Sequence, residues 1–561
     1  MSAVADADPT VYRAFARIAA AHPDRPFLEV LPEVAAQYGI EPLTLHYGEA
    51  LAAVDAIAAR FAAAGYGHGH RAGLLLENRP SFFLNWLALN ALGVSVVPIS
   101  AELRAAELEY LVGHSELCVA VSVPSRVESL QAAAARAGRA VCVLASLDDE
   151  IGAGPGAPAP LGLAALAAAP LAPPRSGVPD RDTECGLLYT SGTTGRPKGC
   201  VLPNDYYLIA GEWYRAAGGL CAIRHGEERL LTPLPMTHMN AMAYSTMAMI
   251  LSAGCVVPLD RFHPTAWLES VRRSRASIVH YLGVMPAMLL SAPASAADRE
   301  HAVRFGFGAG VDRRHQAAFE ARFGFPLLEA WAMTETGAGA VVIAHREPRH
   351  VGQACFGRAG PELALRIVDE AGADVPDDTP GELLVRAAGD DPRRGFFREY
   401  LKDAAATDQA WAGGWFHTGD VVRRDADGNL YFIDRRKNVI RRSGENIAAA
   451  EVESVLRRHP GVREVAVAAT PDSVRGDEVL ACVVAAQPLD AAGREAFARE
   501  LVALSLGQLA YFKAPGWVAF VDALPLTATQ KIQRGALKAL AATLPGTDCC
   551  IDTRALKRRP A

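Results

Sequence analysis

Apolar residues in the first 146 positions alternate between helical and strand spacing. Leu51, Val54, Ala58 and Phe61 recur at helical spacing and Gly65 follows them, which predicts an amphipathic helix that ends before the glycine. Further segments follow in the order strand 72–76, helix 80–93, and strands 94–99, 117–123 and 140–145. Repeated βαβ units of this kind predict a mainly parallel sheet that is covered by helices.

Two changes in composition divide the rest of the chain. Residues 151–179 are rich in Ala, Pro and Gly, which predicts a loop between two subdomains. The charged segment DRRKNVIRRSG at 434–444 precedes a compact α+β pattern, with helices over 451–458 and 491–506 and strands over 462–469, 478–486 and 518–520. We therefore predict a separate C-terminal domain of about 120 residues, which is an ordinary domain size.

Composition excludes some classes of protein. A chain of 561 residues is too long for one hydrophobic core, and its net charge of −6 gives no basic surface for nucleic acid. None of the ten cysteines forms a CxxC pair, and the N-terminus has no basic segment leading into an apolar stretch. These features predict a cytoplasmic protein with reduced thiols.

Residues 230–259 carry no formal charge and are long enough to cross a bilayer. Prolines 233, 235 and 258, with His238 and Asn240, interrupt the stretch with groups that are costly in hydrocarbon. We predict a buried core helix with flanking loops here, and no contact with a membrane.

A loop rich in glycine and hydroxyl residues follows the short apolar strand 187–189. The loop TSGTTGRPKG, Thr190–Gly199, contains three glycines and four hydroxyl residues, which lets backbone N–H groups turn toward an anion. The pattern GxxxxGK[ST] cannot be placed on it. From the residues alone, an anion site and a flexible polar turn both stay open. The candidate phosphate-binding residues are Thr190, Ser191, Gly192, Thr193, Thr194, Gly195 and Lys198.

The loop resembles the phosphate-binding signature of the acyl-adenylate-forming superfamily at all ten positions. Further motifs of that superfamily follow in the same order: WAMTETG at 331–337, GWFHTGD at 414–420, YFIDRRKNVIRRSGENI at 431–447 and LTATQKIQR at 526–534. The run at 435–453 is similar to the carnitine/crotonobetaine-CoA ligase group. The resemblance implies an α/β fold with a large N-terminal domain of parallel-rich subdomains over 1–434, a hinge over 435–437 and a small mobile α+β C-terminal domain over 438–561.

The resemblance also implies an ATP site. Glu335 would hold Mg²⁺ on the ATP phosphates, because a hard cation prefers carboxylate oxygen, and Thr334 would bond the α-phosphate. Asp420 would accept both ribose hydroxyls, with Arg435 supporting the same sugar. The adenine ring would lie on the Gly308, Ala309 and Gly310 backbone, with Trp331 stacking against it.

By resemblance, the small domain supplies the remaining chemistry. Lys531 would neutralise charge as the carboxylate attacks the α-phosphate, although Gln530 stands where many relatives have glycine. Lys437 matches the hinge, about which the domain would rotate between two half-reactions. Gly444, after Ser443, would let the pantetheine arm of coenzyme A pass close to the backbone.

The acyl pocket is the least determined part of the site. Its candidate wall, by resemblance, comprises Trp213, Tyr214, His238, Met242, Phe305, Phe307, Ala332 and Gly337. His238 either lines the carboxylate end or is a packed core histidine. Ala332 stands where most relatives have glycine, which would narrow the tunnel and favour a small or medium acid. Trp213 and Tyr214 form either part of a box for a quaternary ammonium or ordinary core packing.

The resemblance thus implies an acid–thiol ligase that uses ATP, Mg²⁺ and coenzyme A. Two alternatives stay open: an adenylating enzyme that passes its activated group to an amine, a carrier protein or another nucleophile, and a catalytically inactive nucleotide-binding relative. The oligomeric state is also open, with a homodimer as the candidate assembly. The last eight residues, RALKRRPA, carry four basic side chains and predict a solvated, disordered end.

Overall fold

The computed structural model describes residues 8–146, 148, 172–190, 196–435, 439–525 and 532–557, without the side chains of 434, 435 and 439. The chain divides into two compact units. The first comprises Met1–Ala101, Val112–Leu188 and Gly199–Asp434, and the second comprises Glu102–Leu111, Tyr189–Lys198 and Arg435–Ala561. The second unit therefore includes two short segments that the predicted bounds assign to the large domain, and those bounds stay a prediction.

The strands of the described residues are β1 Pro26–Val30, β2 Leu43–His46, β3 Arg71–Leu75, β4 Ser95–Pro98, β5 Val119–Ser122, β6 Cys142–Ala145, β7 Glu184–Thr190, β8 Lys198–Pro203, β9 Arg229–Thr232, β10 Cys255–Pro258, β11 Ile278–Leu282, β12 Phe305–Ala309, β13 Leu327–Trp331, β14 Val342–Ile343, β15 Cys355–Arg358, β16 Leu363–Val368, β17 Gly381–Ala387, β18 Glu399–Tyr400, β19 Phe416–Arg424, β20 Asn429–Arg435, β21 Val439–Arg442, β22 Glu445–Ala448, β23 Val462–Asp472, β24 Gly476–Ala485, β25 Trp517–Phe520 and β26 Cys550–Asp552.

The α-helices of the same residues are α1 Val11–Ala21, α2 Pro32–Tyr38, α3 Tyr47–Ala63, α4 Pro80–Ala91, α5 Ala105–Ser115, α6 Val127–Arg136, α7 Asn204–Ala216, α8 Met247–Leu251, α9 Trp267–Ser274, α10 Val284–Leu290, α11 Gln316–Phe323, α12 Ala404–Ala410, α13 Ala449–Leu456, α14 Ala491–Gln508 and α15 Arg534–Thr543. A π-helix over Asn240–Thr246 leads directly into α8.

Three sheets form outside the C-terminal region. An eight-stranded sheet has the order β14-β13-β12-β11-β9-β10-β1-β2, and the strands from β13 to β1 run parallel. A seven-stranded sheet has the order β18-β8-β7-β4-β3-β5-β6, with β7, β4, β3, β5 and β6 parallel. A five-stranded sheet has the order β15-β20-β19-β17-β16. The parallel-rich α/β fold that the hydrophobic pattern predicted is thus confirmed.

The fourth sheet, in the second unit, has the order β22-β21-β24-β25-β26, with β23 beside β24. Its long strands are apolar on both faces. Val479, Ala481 and Val483 of β24 pack with α13 and α14, whereas Leu480 and Cys482 pack with α15 on the opposite side. Because successive side chains of a strand point to opposite faces, one apolar run serves both layers.

The apolar stretch 230–259 does not form one long helix. It contains β9, the helical segment 240–251 and β10, so strands stand where loops were expected on both sides of the buried helix. Over the part of the chain that the structure describes, no helix is both long enough and apolar enough to cross a bilayer. All ten cysteines are free thiols.

The basic C-terminal segment is folded up to Lys557 and is not a solvated tail over these residues. Residues Arg554–Leu556 form a 3₁₀ turn after β26, and the Lys557 side chain is only 1% exposed. The prediction was wrong here because the ammonium has a buried partner, Glu478, in β24. Residues 558–561 lie outside the described residues.

Candidate active site

Parallel strands β9, β12 and β13 of the eight-stranded sheet end at one edge, and several of the predicted residues lie at or after their ends. In open α/β sheets, ligands bind outside the carboxyl ends of the strands. His238 and Met242 come after β9, and Gly310 comes directly after β12. Trp331 ends β13, and Glu335 lies in the turn that follows.

Glu335 is buried with 7% of its surface exposed, and its carboxylate is held from another sheet. The Tyr400 hydroxyl of β18 donates to Oε1 of Glu335 over 2.9 Å. Burial and the nearby Glu335 carboxylate raise the pKa of Tyr400 well above its usual value. Tyr400 therefore stays protonated and remains a hydrogen-bond donor to Glu335.

Asp420 and Trp331 are joined by a hydrogen bond although they lie far apart in sequence. The indole Nε1–H of Trp331 donates to Oδ2 of Asp420 over 2.9 Å. Asp420 is fully buried and Trp331 is 6% exposed. The bond fixes the plane of the indole ring beside the carboxylate.

The segment Gly308–Gly310 is fixed by Glu329, a residue that the sequence analysis missed. Glu329 Oε2 accepts the Gly310 N–H over 2.9 Å, and Oε1 accepts the Tyr281 hydroxyl over 2.6 Å. A Cβ at position 308 would lie 2.3 Å from the Tyr281 carbonyl oxygen, so only glycine fits there. A charged residue in the apolar strand LLEAW was the sequence signal that could have found Glu329.

Thr334 and Gly337 lie on the turn after β13, and two tyrosines of the core hold that turn. Tyr206 donates its hydroxyl to the Thr334 carbonyl over 2.9 Å, and Tyr244 donates to the Gly337 carbonyl over 3.0 Å. Gly337 has φ +48, and a Cβ there would lie 2.3 Å from the Tyr206 ring. The conformation of the turn that carries Thr334 and Glu335 is therefore fixed by its contacts with Tyr206 and Tyr244.

The proposed acyl wall is an aromatic cluster with unequal exposure. Trp213 and Ala332 are half-buried, and His238 is exposed. Tyr214, Met242 and Phe307 are almost completely buried, as is Phe305. The Tyr214 and Phe307 ring centroids are 4.6 Å apart. Tyr214 is thus a core aromatic with no free ring face, and Trp213 is the member of the pair with exposed surface.

A buried histidine behind this wall was also missed. His280 Nε2 lies 3.1 Å from the Tyr214 hydroxyl, and Nδ1 lies 2.6 Å from Oδ1 of Asn240. Burial lowers the pKa of His280 to about 3, so the ring is neutral. Since an amide oxygen only accepts, Nδ1 carries the proton and the tyrosine donates to Nε2. The network fixes the start of the π-helix beside His238.

The second unit contains the other predicted residues, and several lie outside the described residues. Thr190 ends β7 and Lys198 begins β8, both half-buried. Between them, the Tyr110 hydroxyl donates to the Pro197 carbonyl over 2.9 Å. Arg435 ends β20, and Gly444 lies in the turn between β21 and β22. The predicted residues that lie outside the described part are Ser191, Gly192, Thr193, Thr194, Gly195, Lys437 and Lys531.

The residues present fit a magnesium ion that arrives with a nucleotide. No group of three or more His, Cys, Asp or Glu side chains among the described residues could hold a metal by itself. Mg²⁺ is usually bound by one or two carboxylates together with substrate phosphates, rather than by an all-protein cage. Glu335, in its turn at the sheet edge, is the carboxylate suited to that role.

Comparison with known proteins identifies the family. The AMP-binding enzyme family matches residues 15–401, and the AMP-binding enzyme C-terminal domain matches residues 451–531. Crotonobetaine/carnitine–CoA ligases from an Escherichia coli strain (O45:K1) and from Shigella flexneri are each 31% identical over 477 residues, which is 84% of this chain and 88% of theirs. The resemblance to this ligase group is thereby confirmed.

Solved structures share the fold. An o-succinylbenzoate CoA synthetase from Bacillus subtilis aligns with a TM-score of 0.77 at 24% identity, over 95% of this chain and 98% of its own. An amide bond synthetase from Marinactinospora thermotolerans aligns with a TM-score of 0.75 at 23% identity, over 94% of this chain and 99% of its own. These structures show the fold, and the two family matches with the 31% identical relatives show that the chain belongs to the AMP-binding enzyme family.

Proposed function

We propose that this enzyme is an ATP-dependent carboxylate–CoA ligase that acts through an acyl-AMP intermediate on a small or medium carboxylic acid. The observation that carries the proposal is the meeting of Trp331, Asp420 and Glu335 around the carboxyl edge of one parallel sheet. This arrangement suits a nucleoside triphosphate. Trp331 would stack on the base, Asp420 would bind the ribose, and Glu335 would lie on the side of the phosphates. The names of the curated relatives support coenzyme A as the acceptor.

In the first half-reaction, a carboxylate oxygen of the acid attacks the α-phosphorus of ATP and pyrophosphate leaves. Thr334 would bond the α-phosphate, and Lys531 would neutralise the charge that develops there. Glu335 would hold Mg²⁺, which supplies charge neutralisation on the phosphates when it is bound. Asp420, with one oxygen on the Trp331 indole, would orient the ribose.

In the second half-reaction, the coenzyme A thiolate attacks the acyl carbonyl and AMP leaves. The small domain would rotate about Lys437 between the two steps, so that Lys531 withdraws and the turn at Ser443 and Gly444 meets the pantetheine arm. Gly444 has φ +89 and no side chain, which leaves its backbone open to close approach.

The proposed acid is small or medium because Ala332 adds a methyl group on the acyl side. A box for a quaternary ammonium requires exposed aromatic faces. The Tyr214 ring is fully buried against Phe307. Of the two candidate box residues, Trp213 and Tyr214, only Trp213 therefore has an exposed ring face. We therefore do not restrict the substrate to a carnitine-like cation.

Product analysis with the purified protein tests the proposal. A panel of small carboxylates is incubated with ATP and Mg²⁺, with and without coenzyme A, and nucleotides and thioesters are separated by chromatography. We expect AMP and pyrophosphate to depend on an acid, and thioester to require coenzyme A. ADP as the product would refute the adenylation chemistry. Acid-dependent AMP release without thioester, with an amide formed when an amine is added, would assign the second step to an amine acceptor.

A further inference from the structure

Three ionisable side chains of the second unit are buried together. The side chains of Arg442, Glu478 and Lys557 are 4%, 0% and 1% exposed. Arg442 Nε donates to both oxygens of Glu478, over 2.9 and 2.8 Å, and the Lys557 ammonium donates to Oε1 of the same carboxylate. We call these three residues the clamp. Buried charges of this kind are rare unless each is paired, and removing one partner is costly.

The clamp is assembled by two strands, β21 and β24, and by the segment that follows β26. Arg442 ends β21 and stands opposite Gly476 of β24, two residues before Glu478. The C-terminal segment Cys550–Lys557 reaches the cluster because β26 pairs with β25 and the Thr553 N–H donates to the Gly516 carbonyl over 3.0 Å.

Gly516 makes room for the carboxylate. A Cβ at this position would lie 2.4 Å from Cδ of Glu478, closer than real Cβ contacts allow. The absence of a side chain at 516 is thus a requirement of the clamp itself.

Arg442 is directly joined to the turn that the proposed function assigns to coenzyme A. In the β21–β22 hairpin, Arg442 pairs with Glu445, so Ser443 and Gly444 are its two-residue loop. Both have positive φ, +52 and +89, as a tight hairpin turn of this length requires. The position of the turn is therefore set by the side chain that anchors Arg442.

Ser443 also places a buried polar atom at the tip of the hairpin. Its hydroxyl oxygen is buried without a hydrogen-bond partner among the described residues. A buried polar atom without a partner in a native fold needs an explanation, and a polar ligand group passing the turn would provide one.

We propose that the C-terminal segment Cys550–Lys557 is a positioning element for thioester formation, with Lys557 acting through Glu478 and Arg442 on the Ser443–Gly444 turn. The inference rests on the proposed function, since it assumes that this turn meets coenzyme A. None of the three clamp residues needs to touch a substrate. Lys557 holds the carboxylate, the carboxylate holds Arg442, and Arg442 holds the turn.

The test measures the two half-reactions separately in the full chain. Acid-dependent ATP–pyrophosphate exchange reports adenylation, and thioester appearance at varied coenzyme A reports the second step. For Lys557→Met we expect exchange within about twofold of wild type, and kcat/KM for coenzyme A lower by about tenfold, because small displacements of a positioning group cost that much or more. Arg499→Met, which removes an exposed ion pair with Glu495 in the same unit, should change neither rate.

Two glycine substitutions test the same proposal without the loss of charge that Lys557→Met causes. Gly516→Ala should displace Glu478 and reproduce the selective loss at the coenzyme A step. Gly507→Ala, where an added Cβ meets no atom within 4 Å, is the matched control and should be neutral. If Lys557→Met and Gly516→Ala lower both half-reactions equally, or leave both unchanged, the positioning proposal is wrong. If wild type adenylates acids but never forms a thioester, the proposed function fails first, by a different observation.

Discussion

At the scale of single residues, the Tyr400 hydroxyl governs how Glu335 is presented. Tyr400→Phe removes a donor to a buried carboxylate and changes little else in volume. Hydrogen bonds to charged groups contribute about 1.5–3 kcal/mol, so we expect kcat/KM for MgATP to fall by about tenfold or more. Steady-state kinetics at varied MgATP, with acid and coenzyme A saturating, measure this.

The matched control for Tyr400→Phe is Tyr12→Phe. Tyr12 donates to Asp55 over 2.7 Å at an exposed site far from the predicted motifs. Tyr12→Phe removes the same kind of hydrogen bond, from a tyrosine to a carboxylate, and we expect no change in kcat/KM for MgATP. Equal effects of the two substitutions would show that Tyr400 contributes to stability rather than to the ATP site.

Lys557 predicts a pH dependence of stability. Burial, followed by the nearby Arg442, lowers the pKa of Lys557 to about 7, while Glu478 acts in the opposite direction. In the unfolded chain a lysine holds its proton up to about pH 10.4. Between these values the unfolded state binds more protons than the folded state, so stability from this residue rises with pH from about 7 toward 10 and is lowest below 7.

The measurement compares urea midpoints of wild type and Lys557→Met at several pH values. Arg442, Arg475 and Glu478, which face the ammonium, are present in both proteins, so their contributions largely cancel. We expect the midpoint of wild type relative to the variant to increase between pH 7 and pH 9.5. A difference that is constant over this range would contradict the assigned cause.

At the scale of elements, Gly337 couples the turn after β13 to helix α7. Gly337→Ala would place a methyl group 2.3 Å from the Tyr206 ring and 2.5 Å from the Gly395 carbonyl oxygen, at φ +48. Gly138→Ala has a similar φ of +64 but meets no atom within 4 Å. Strain at positive φ alone costs about 1 kcal/mol. We expect a clearly larger fall in Tm for Gly337→Ala, measured by thermal unfolding, and equal shifts would exclude the steric cause.

Elements with a strong hydrophobic period could be predicted from the sequence, and short or charged ones could not. Helix α4 and strand β3 were confirmed within two residues at each end, and α3 begins four residues before the first apolar position of its predicted spacing, because the apolar spacing of all three is clear. The β21–β22 hairpin and β26 were not among the predicted strands. Each depends on pairing with a distant strand, and Lys557 was misread because its carboxylate partner is 79 residues away.

At the scale of the whole molecule, the candidate site is assembled from segments that are far apart in the chain. The family motifs named Trp331, Glu335 and Asp420 from the sequence. Motifs could not name the residues that hold them, because Tyr400, Glu329 and Tyr206 act through contacts that exist only after folding. The sequence therefore named candidate site residues, but it could not name the residues that support them.

Division into two units predicts that the two half-reactions can be separated by one substitution. Lys531 belongs to the second unit, and its proposed role is confined to adenylation. Lys531→Ala should lower ATP–pyrophosphate exchange by about a hundredfold or more, because one electrostatic contact to the transition state contributes about 3 kcal/mol. Thioester formation from preformed acyl-AMP should be retained. Lys538→Ala, at an exposed position of α15, is the control and should affect neither step. Equal loss of both steps in Lys531→Ala would mean that this lysine supports the second unit as a whole, and the adenylating residue would have to be sought elsewhere.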